Sequence, residues 1–261
     1  MSLLLNDLSQ FSSLVAIIAH LRGPDGCPWD REQSLSSMRE NLLEECYEVL
    51  ESIDKGHMRR LCIELGDLLM QVVFQAQLAA EAGEFELKDV IKDINSKLIR
   101  RHPHVFGSLA VADADEVVVN WEAIKKKERG DGDSILSGVP KTMPALAASQ
   151  EIQSRVARLS FDWPDDEGVI DKLAEEVAEL GRAESGLEKE REYGDLLFTI
   201  GNIARRQGID LESALRQAND KFRRRFACME ELCRKRGLKF SGLSFDEQNA
   251  LWEEAKKKVG E

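Results

Sequence analysis

Four short motifs occur twice in this sequence of 261 residues, in the same order and at a nearly constant separation. A Glu-Glu-x-x-Glu motif begins at Glu44 and again at Glu175, and each is followed by a Glu-x-x-Asp motif, at Glu64 and at Glu192. A Lys-x-x-x-Arg pair and a Trp-Glu motif then recur further along each copy. Self-similarity at a fixed spacing is the signature of a duplicated structural unit. The chain is therefore predicted to contain two related domains, residues 1–129 and 145–261.

Residues 130–144 are predicted to link the two copies, because glycine and proline are concentrated there. Apolar residues in both copies recur with a helical period, and no sustained alternation typical of strands is present. The predicted fold class is all-α, with tandem helical-bundle domains of four to five helices each. Helices are predicted at residues 3–22, 35–53, 60–82, 87–101, 117–129 and 145–159, with loops at 23–30 and 161–165.

The helix predicted at 60–82 is apolar around most of its circumference. Its remaining polar residues fall in one narrow stripe, formed by Glu64, Asp67, Gln71 and Gln75. A helix that is apolar almost all round is a buried helix. Buried carboxylates are costly unless they are paired with a cation, so this stripe is predicted either to be desolvated at a loss or to face a metal ion.

The preceding helix supplies a second pair of carboxylates, Glu45 and Glu48, which are neighbours because they lie three residues apart. Two such helices can direct four oxygen ligands to one cluster, which suits a hard cation such as Mg²⁺ or Mn²⁺. Carboxylate-bridged di-iron bundles use Glu-x-x-His, and no histidine occupies these positions. The alternative for either motif alone is an ordinary solvated acidic face.

Two basic pairs and two tryptophans follow the acidic motifs, one of each per copy: Lys97 with Arg101, Lys221 with Arg225, Trp121, and Trp252. Each basic pair shares one helix face and could clamp phosphate oxygens, although a solvated basic face is the alternative. Each tryptophan could anchor the core or stack on a base. The His102-Pro103-His104 run has no counterpart in the second copy and is interpreted as a loop feature.

The composition excludes several classes of function. A net charge of −12 disfavours broad binding to nucleic acid or to anionic membranes. No uninterrupted apolar run approaches the roughly 18 residues of a membrane span, and the first ten residues have no basic segment of a signal peptide. The five cysteines are an odd number without a Cys-x-x-Cys pair, which indicates a reduced, cytoplasmic protein.

Together these motifs resemble those of the MazG family of nucleoside triphosphate pyrophosphohydrolases, in the all-α pyrophosphatase superfamily. The Gly-Cys-Pro-Trp-Asp loop at 26–30 and the run from Arg100 to Phe106 strengthen the resemblance, which covers nearly the whole chain. It implies Mg²⁺-dependent hydrolysis of nucleoside triphosphates, of broad base range, to the monophosphate and pyrophosphate by a homodimer. The alternatives are a narrow dUTP or dCTP pyrophosphohydrolase, or a non-catalytic helical protein that binds nucleotides or a partner.

The resemblance also implies roles for individual residues. The implied metal ligands are Glu45, Glu48, Glu64 and Asp67 in the first copy, and Glu176, Glu179, Glu192 and Asp195 in the second. The implied nucleotide contacts of the second copy are Lys172, Glu175, Lys221, Arg225 and Trp252, and their matches in the first copy include Lys97, Arg101 and Trp121. Glu175 is the candidate for orienting or deprotonating the attacking water, and Glu44 is its counterpart.

The sequence departs from the family pattern at two positions. Asn41 stands in the first copy where the second has Lys172, which weakens the case for triphosphate binding there. Arg191 precedes Glu192, where the family often has another acid. The main catalytic site is therefore expected in the C-terminal copy.

Overall fold

The computed structural model describes residues 7–129 and 134–260, and in these ranges it contains helices and no strand. The all-α fold class is therefore confirmed. The α-helices, in chain order, are α1 (Phe11–Leu21), α2 (Pro28–Glu32), α3 (Met38–Asp54), α4 (Met58–Glu81), α5 (Leu87–Arg101), α6 (Pro103–Phe106), α7 (Ala114–Arg129), α8 (Ala145–Ala157), α9 (Asp166–Arg182), α10 (Gly186–Arg206), α11 (Leu211–Arg236) and α12 (Phe245–Val259).

The predicted helix limits differ from the observed ones mainly at the ends. Residues 3–6 of the first predicted helix lie outside the described residues, and α1 begins only at Phe11, after a turn in which Asp7 accepts a hydrogen bond from the Ser9 amide. The predicted loop at 23–30 is interrupted by α2, which starts at Pro28, a residue suited to the first position of a helix. The first four residues of the predicted linker, 130–133, lie outside the described residues, and 134–144 contain no helix.

The chain divides into two compact units, Met1–Gly130 and Asp131–Glu261. In the N-terminal unit α3 and α4 pack along each other as a helical hairpin, and α1 and α5 contact α4. The hairpin turns at Gly56, whose φ of 66° is readily adopted only by glycine. The core of this unit is a cluster of buried side chains: Ile18, Met38, Val73, Phe74 and Leu78.

The C-terminal unit repeats the hairpin with α9 and α10, while α8 packs on α10 and α11 packs on α12. The start of α10 is defined by a capping box in which Ser185 and Glu188 exchange hydrogen bonds with each other's backbone. Where α8 meets α10, Gln153 donates to the Phe198 carbonyl at 2.7 Å. Between α11 and α12 lies a second core cluster of Met229, Leu232, Cys233, Leu251 and Ala255.

The expectation that α4 is buried all round is wrong for the described chain. The polar stripe is largely inside, with Glu64 6% and Gln71 1% exposed. The opposite face remains open, and Leu65 and Leu69 are 48% and 43% exposed. The reason is geometric, because the helices that pack on α4 (α1, α3 and α5) leave part of its apolar circumference uncovered.

Helix α4 is also long and apolar enough to cross a bilayer, with a mean hydropathy of 1.3 over its most apolar window. The sequence does not show this helix as an uninterrupted apolar run, because Glu64 and Asp67 lie within it. A core helix of a globular domain satisfies the same test, and α4 packs against three neighbouring helices in that way. One such helix is weak evidence for a membrane span.

Phe74→Ala tests the position of the core. Phe74 is 2% exposed, so its truncation leaves a cavity and is expected to lower the free energy of unfolding of the N-terminal unit by about 3–5 kcal/mol. The matched control is Phe106→Ala in the same unit, where the side chain is 62% exposed. Urea unfolding followed by circular dichroism measures both variants, and equal losses would contradict the assigned core.

Candidate functional site

The hairpin of α3 and α4 brings three carboxylates together. Glu45 and Glu48 lie one turn apart on α3, and Glu64 faces them from α4. Each offers an oxygen within 4.8 Å of an oxygen of the other two. Glu64 is buried, while the other two are half-buried. We call this group the N-terminal triad.

The hairpin of α9 and α10 repeats the arrangement with the equivalent residues. Glu176 and Glu179 come from α9 and Glu192 from α10, again with oxygens within 4.8 Å of one another. Here the buried member is Glu176, which is 3% exposed. We call this group the C-terminal triad. The structure thus brings together three of the four carboxylates predicted as ligands in each copy.

The fourth predicted ligand of each copy, Asp67 or Asp195, lies outside its triad. Both are nevertheless near, because Asp67 contributes to a raised pKa of Glu45 and Asp195 contributes to a raised pKa of Glu192. Glu44 and Glu175, the predicted catalytic acids, are exposed on the same helices as the triads.

The members of each triad repel one another. Burial and then the charges of Asp67 and Glu48 raise the pKa of Glu45, and the charge of Glu64 is the main cause of the raised pKa of Glu48. In the C-terminal triad, burial and then the charge of Glu179 raise the pKa of Glu192. Clustered oxygen ligands with excess negative charge, and with no histidine or thiol among them, fit a hard divalent cation.

Among the residues that the structure describes, one cation contacts each triad, and this cation comes from a different helix in each copy. In the N-terminal unit Arg60 of α4 donates its Nε–H to Glu64 at 2.8 Å and lies 3.6 Å from Glu48. In the C-terminal unit Lys172 of α9 places Nζ 2.8 Å from Glu176 and 3.1 Å from Glu175, and these hydrogen bonds raise the pKa of Lys172. One cation against three carboxylates leaves both triads negative.

Arg60 was missed in the sequence, although a signal was present. It precedes Glu64 by four residues, a spacing that places two side chains side by side on a helix. Its counterpart in the second copy is Glu188, and the counterpart of Lys172 in the first is Asn41. Each copy therefore has its cation at the position where the other copy lacks one.

The predicted basic and aromatic residues pair within each unit. The guanidinium of Arg101 lies 5.5 Å from the ring centre of Trp121, and that of Arg225 lies 5.8 Å from Trp252. Lys97 and Lys221 are exposed. Across the described residues, no hydrogen bond or ion pair links these four basic residues to the triads, so their grouping with the metal site remains a prediction.

The tryptophans act at least in part as packing residues. Trp252 packs against the second core cluster and lies 5.3 Å from the Phe222 ring. Trp121 is half-buried and meets the edge of His102, whose Nδ1 lies 2.7 Å from the Leu98 carbonyl. The interpretation of the His-Pro-His run as a loop feature is wrong, because His102 is the N-cap of α6 and both Pro103 and His104 lie in that short helix. The packing of the two tryptophans does not test base stacking, which remains a prediction for both.

Glu192→Gln tests the repulsion within the C-terminal triad. The folded pKa of Glu192 is raised, so the metal-free protein should gain stability as pH falls through that value. Removing the charge should therefore raise the melting temperature at pH 7 without metal and reduce the further rise on adding Mg²⁺.

Glu190→Gln is the matched control, since it removes the same charge from an exposed position on the same helix. Calorimetry with and without Mg²⁺ measures both variants. A lower melting temperature for metal-free Glu192→Gln, or an undiminished response to Mg²⁺, would contradict the electrostatic account.

The chain matches the MazG nucleotide pyrophosphohydrolase domain over residues 33–106 and 165–227, which include both triads. It is 46% identical to the nucleoside triphosphate pyrophosphohydrolase/pyrophosphatase MazG of Thermotoga maritima, over 94% of this chain and 95% of that protein. It is 41% identical to the nucleoside triphosphate pyrophosphohydrolase of Escherichia coli K12, over 96% and 98% of the two chains. These matches confirm the resemblance, and the chain belongs to the MazG family of nucleotide pyrophosphohydrolases.

Proposed function

We propose that this enzyme hydrolyses nucleoside triphosphates to the monophosphate and pyrophosphate, with Mg²⁺ bound at the C-terminal triad. Hydrolysis of nucleoside triphosphates follows from family membership and from the names of relatives at 41–46% identity. The observation that carries the metal assignment is the convergence of Glu176, Glu179 and Glu192 within 4.8 Å. Asp195 is proposed as a fourth ligand, since it lies near enough to raise the pKa of Glu192.

When bound, Mg²⁺ offsets charge on the phosphate oxygens and makes a nearby water more acidic. Mn²⁺ is expected to substitute, because the same carboxylate ligands suit it. Glu175 is the proposed group that orients or deprotonates the attacking water, since its exposed carboxylate lies directly beside the triad on α9. Glu44 is its counterpart beside the N-terminal triad.

Lys172 is proposed to bind the triphosphate. Its ammonium group has three N–H donors, and two of them are used by Glu175 and Glu176. The third is available to a phosphate oxygen, and the contacts with both carboxylates keep the ammonium group beside the proposed metal and water positions. Positive charge at this point would offset the negative charge that develops during hydrolysis.

Lys221 and Arg225 are proposed to hold the remaining phosphates, and Trp252 to stack on the base. The two basic residues share one face of α11, and Arg225 lies over the Trp252 ring. Stacking tolerates every base, which supports a broad base range. Lys97, Arg101 and Trp121 are the corresponding residues of the first copy.

The C-terminal copy is the proposed main site for two reasons. Its Lys172 is replaced by Asn41 in the first copy, so the N-terminal triad lacks a cation at that position. The cation that the N-terminal triad does have, Arg60, is already hydrogen-bonded to Glu64 and near Glu48 and Glu51. A metal ion there would have to compete with a guanidinium.

A homodimer is proposed from the apolar side chains that the single chain leaves open. Leu65, Leu69 and Val72 line one stripe of α4 and are each more than 40% exposed. On the adjacent α3, Leu43 and Tyr47 are 56% and 47% exposed. Exposed apolar side chains concentrated on two adjacent helices are typical of an interaction site, and a second copy would cover them. A cytoplasmic location is proposed from the free cysteines.

Leu69→Asp is expected to convert the proposed dimer to a monomer, because it places a charge in the centre of the open apolar stripe of α4. Val119→Asp on α7 is the control, since Val119 is 68% exposed in the same unit but lies on another helix. Sedimentation equilibrium measures the mass of each variant. A monomeric wild-type protein, or a Leu69→Asp protein that remains dimeric, would contradict the proposed interface.

A panel of substrates separates the proposed broad enzyme from two alternatives, a narrow dUTP or dCTP pyrophosphohydrolase and a non-catalytic binding protein. Incubation with each ribo- and deoxyribonucleoside triphosphate and Mg²⁺, followed by assay of monophosphate, distinguishes a broad enzyme from one restricted to dUTP or dCTP. Turnover of none would favour a non-catalytic protein that binds nucleotides or a partner.

Glu176→Gln and its N-terminal equivalent Glu45→Gln test which triad is the main site. Substituting residues that merely support metal ligands typically costs 10–100-fold, so loss of a ligand at the main site should cost at least about 100-fold in pyrophosphate release. Glu176→Gln is expected to show that loss, and Glu45→Gln to keep most of the activity. Similar losses in both variants would contradict a main site in the C-terminal unit.

A further inference from the structure

Arg101 and Arg225 occupy equivalent places in the two units. Each lies over a tryptophan, at 5.5 Å and 5.8 Å respectively. Trp121 and Trp252 are both the eighth residue of the last helix of their unit, since α7 begins at Ala114 and α12 at Phe245. The repeated Lys-x-x-x-Arg motif and the contact with a tryptophan each show that the two arginines are equivalent. The residues around them can therefore be compared position by position.

In the N-terminal unit the arginine is occupied by an internal carboxylate. Glu128 of α7 accepts from Arg101 Nε at 3.1 Å and from Arg101 Nη2, and it also accepts from Arg100 Nε at 2.7 Å. The side chains of Arg101 and Glu128 are only 18% and 21% exposed. The hydrogen bonds from Arg101 are the main reason that the pKa of Glu128 is lowered to about 2. Glu128 is therefore a permanent anion at neutral pH.

In the C-terminal unit the equivalent position carries an apolar residue in place of the carboxylate. Glu128 stands seven residues after Trp121, and the residue seven after Trp252 is Val259. No ion pair to Arg225 is found within residues 134–260. Arg225 Nε is buried without a hydrogen-bond partner, and Nη2 reaches only the Gly260 carbonyl at 3.5 Å. A buried cationic donor without a partner lowers the stability of the fold, so hydrogen bonding of this guanidinium to an anion would be favourable.

We propose that Glu128 is an internal substitute for phosphate, which closes the arginine of the N-terminal copy to the triphosphate, and that the residue at positions 128 and 259 controls whether the arginine of each copy is open to a phosphate group. This inference rests on the proposed role of Arg225 in phosphate binding. Carboxylate and phosphate use the same two-pronged hydrogen bonding to a guanidinium, so they compete for one site. A triphosphate entering the N-terminal copy would have to displace Glu128 from two arginines.

The alternative is that Glu128 only stabilises the packing of α7 against α5. A structural role would affect stability but would not change how many triphosphates the chain binds. The number of binding sites per chain therefore separates the two roles. The probe is a nucleoside triphosphate analogue with a non-hydrolysable bridge, titrated in the presence of Mg²⁺ by calorimetry into the full-length chain.

The wild type is expected to bind one analogue per chain and Arg225→Ala none. Adding Glu128→Val to Arg225→Ala should create one site, and adding Arg101→Ala as well should remove it. Glu84→Val in the Arg225→Ala background is the control for loss of one exposed negative charge in the same unit, and it should create no site. Circular dichroism and melting temperature check that each variant is folded.

The reciprocal substitution leaves the N-terminal unit unchanged. Val259→Glu should place a carboxylate against Arg225 and weaken binding of the analogue to the C-terminal copy by about tenfold or more. Glu128→Gln keeps the length of the side chain and removes its charge. It is therefore a second variant that should free Arg101 for phosphate, in case Glu128→Val destabilises α7.

The outcomes separate this inference from the function on which it rests. A wild-type chain that binds no analogue would contradict the proposed function and the inference together. A wild type with one site, combined with folded Glu128 variants that gain none and a Val259→Glu protein of unchanged affinity, would overturn the inference alone. A wild type with two sites per chain would overturn it as well.

Discussion

Repulsion among the three glutamates of each triad is the unfavourable interaction that the packing of each unit must offset. Like charges a few ångströms apart destabilise a folded chain unless the backbone that holds them is strongly fixed elsewhere. In the N-terminal unit that support comes from the far end of the same helix. Glu64 lies near the start of α4, while Val73, Phe74 and Leu78 lie further along it in the core. One helix therefore combines an unfavourable charged end with a stabilising apolar end.

Much of this arrangement could be read from the sequence, because helix periodicity and the repeat are local properties of the chain. The 3.6-residue period located α5 at its observed limits, and the spacing of Glu45 and Glu48 placed them on one face. Glu64 was recognisable as a site residue because a carboxylate within an apolar helix requires a partner. The short helices α2 and α6 were missed because each begins at a proline, and because two glycines, Gly23 and Gly26, directly precede α2, which together are also typical of a loop.

Contacts between distant parts of the chain could not be read in the same way. The Glu128 carboxylate meets Arg101 across 27 positions, and nothing in the local pattern of α7 indicates that pairing. Comparison of Glu128 with Val259 would have marked the position as different, without showing what the difference contacts. The open face of α4 has a similar cause. Periodicity shows that a face is apolar, but not whether its own chain or another molecule covers it.

The placement of the neutralising cations has a consequence for how these units can be recombined. In the first hairpin the cation, Arg60, is carried by the second helix, and in the other hairpin Lys172 is carried by the first. A hybrid of α9 with α4 would contain both cations, whereas a hybrid of α3 with α10 would contain neither. Exchange of whole hairpins preserves the charge balance, and exchange of single helices destroys it. The helix pair, and not the single helix, is therefore the unit within which the charges of each triad are balanced.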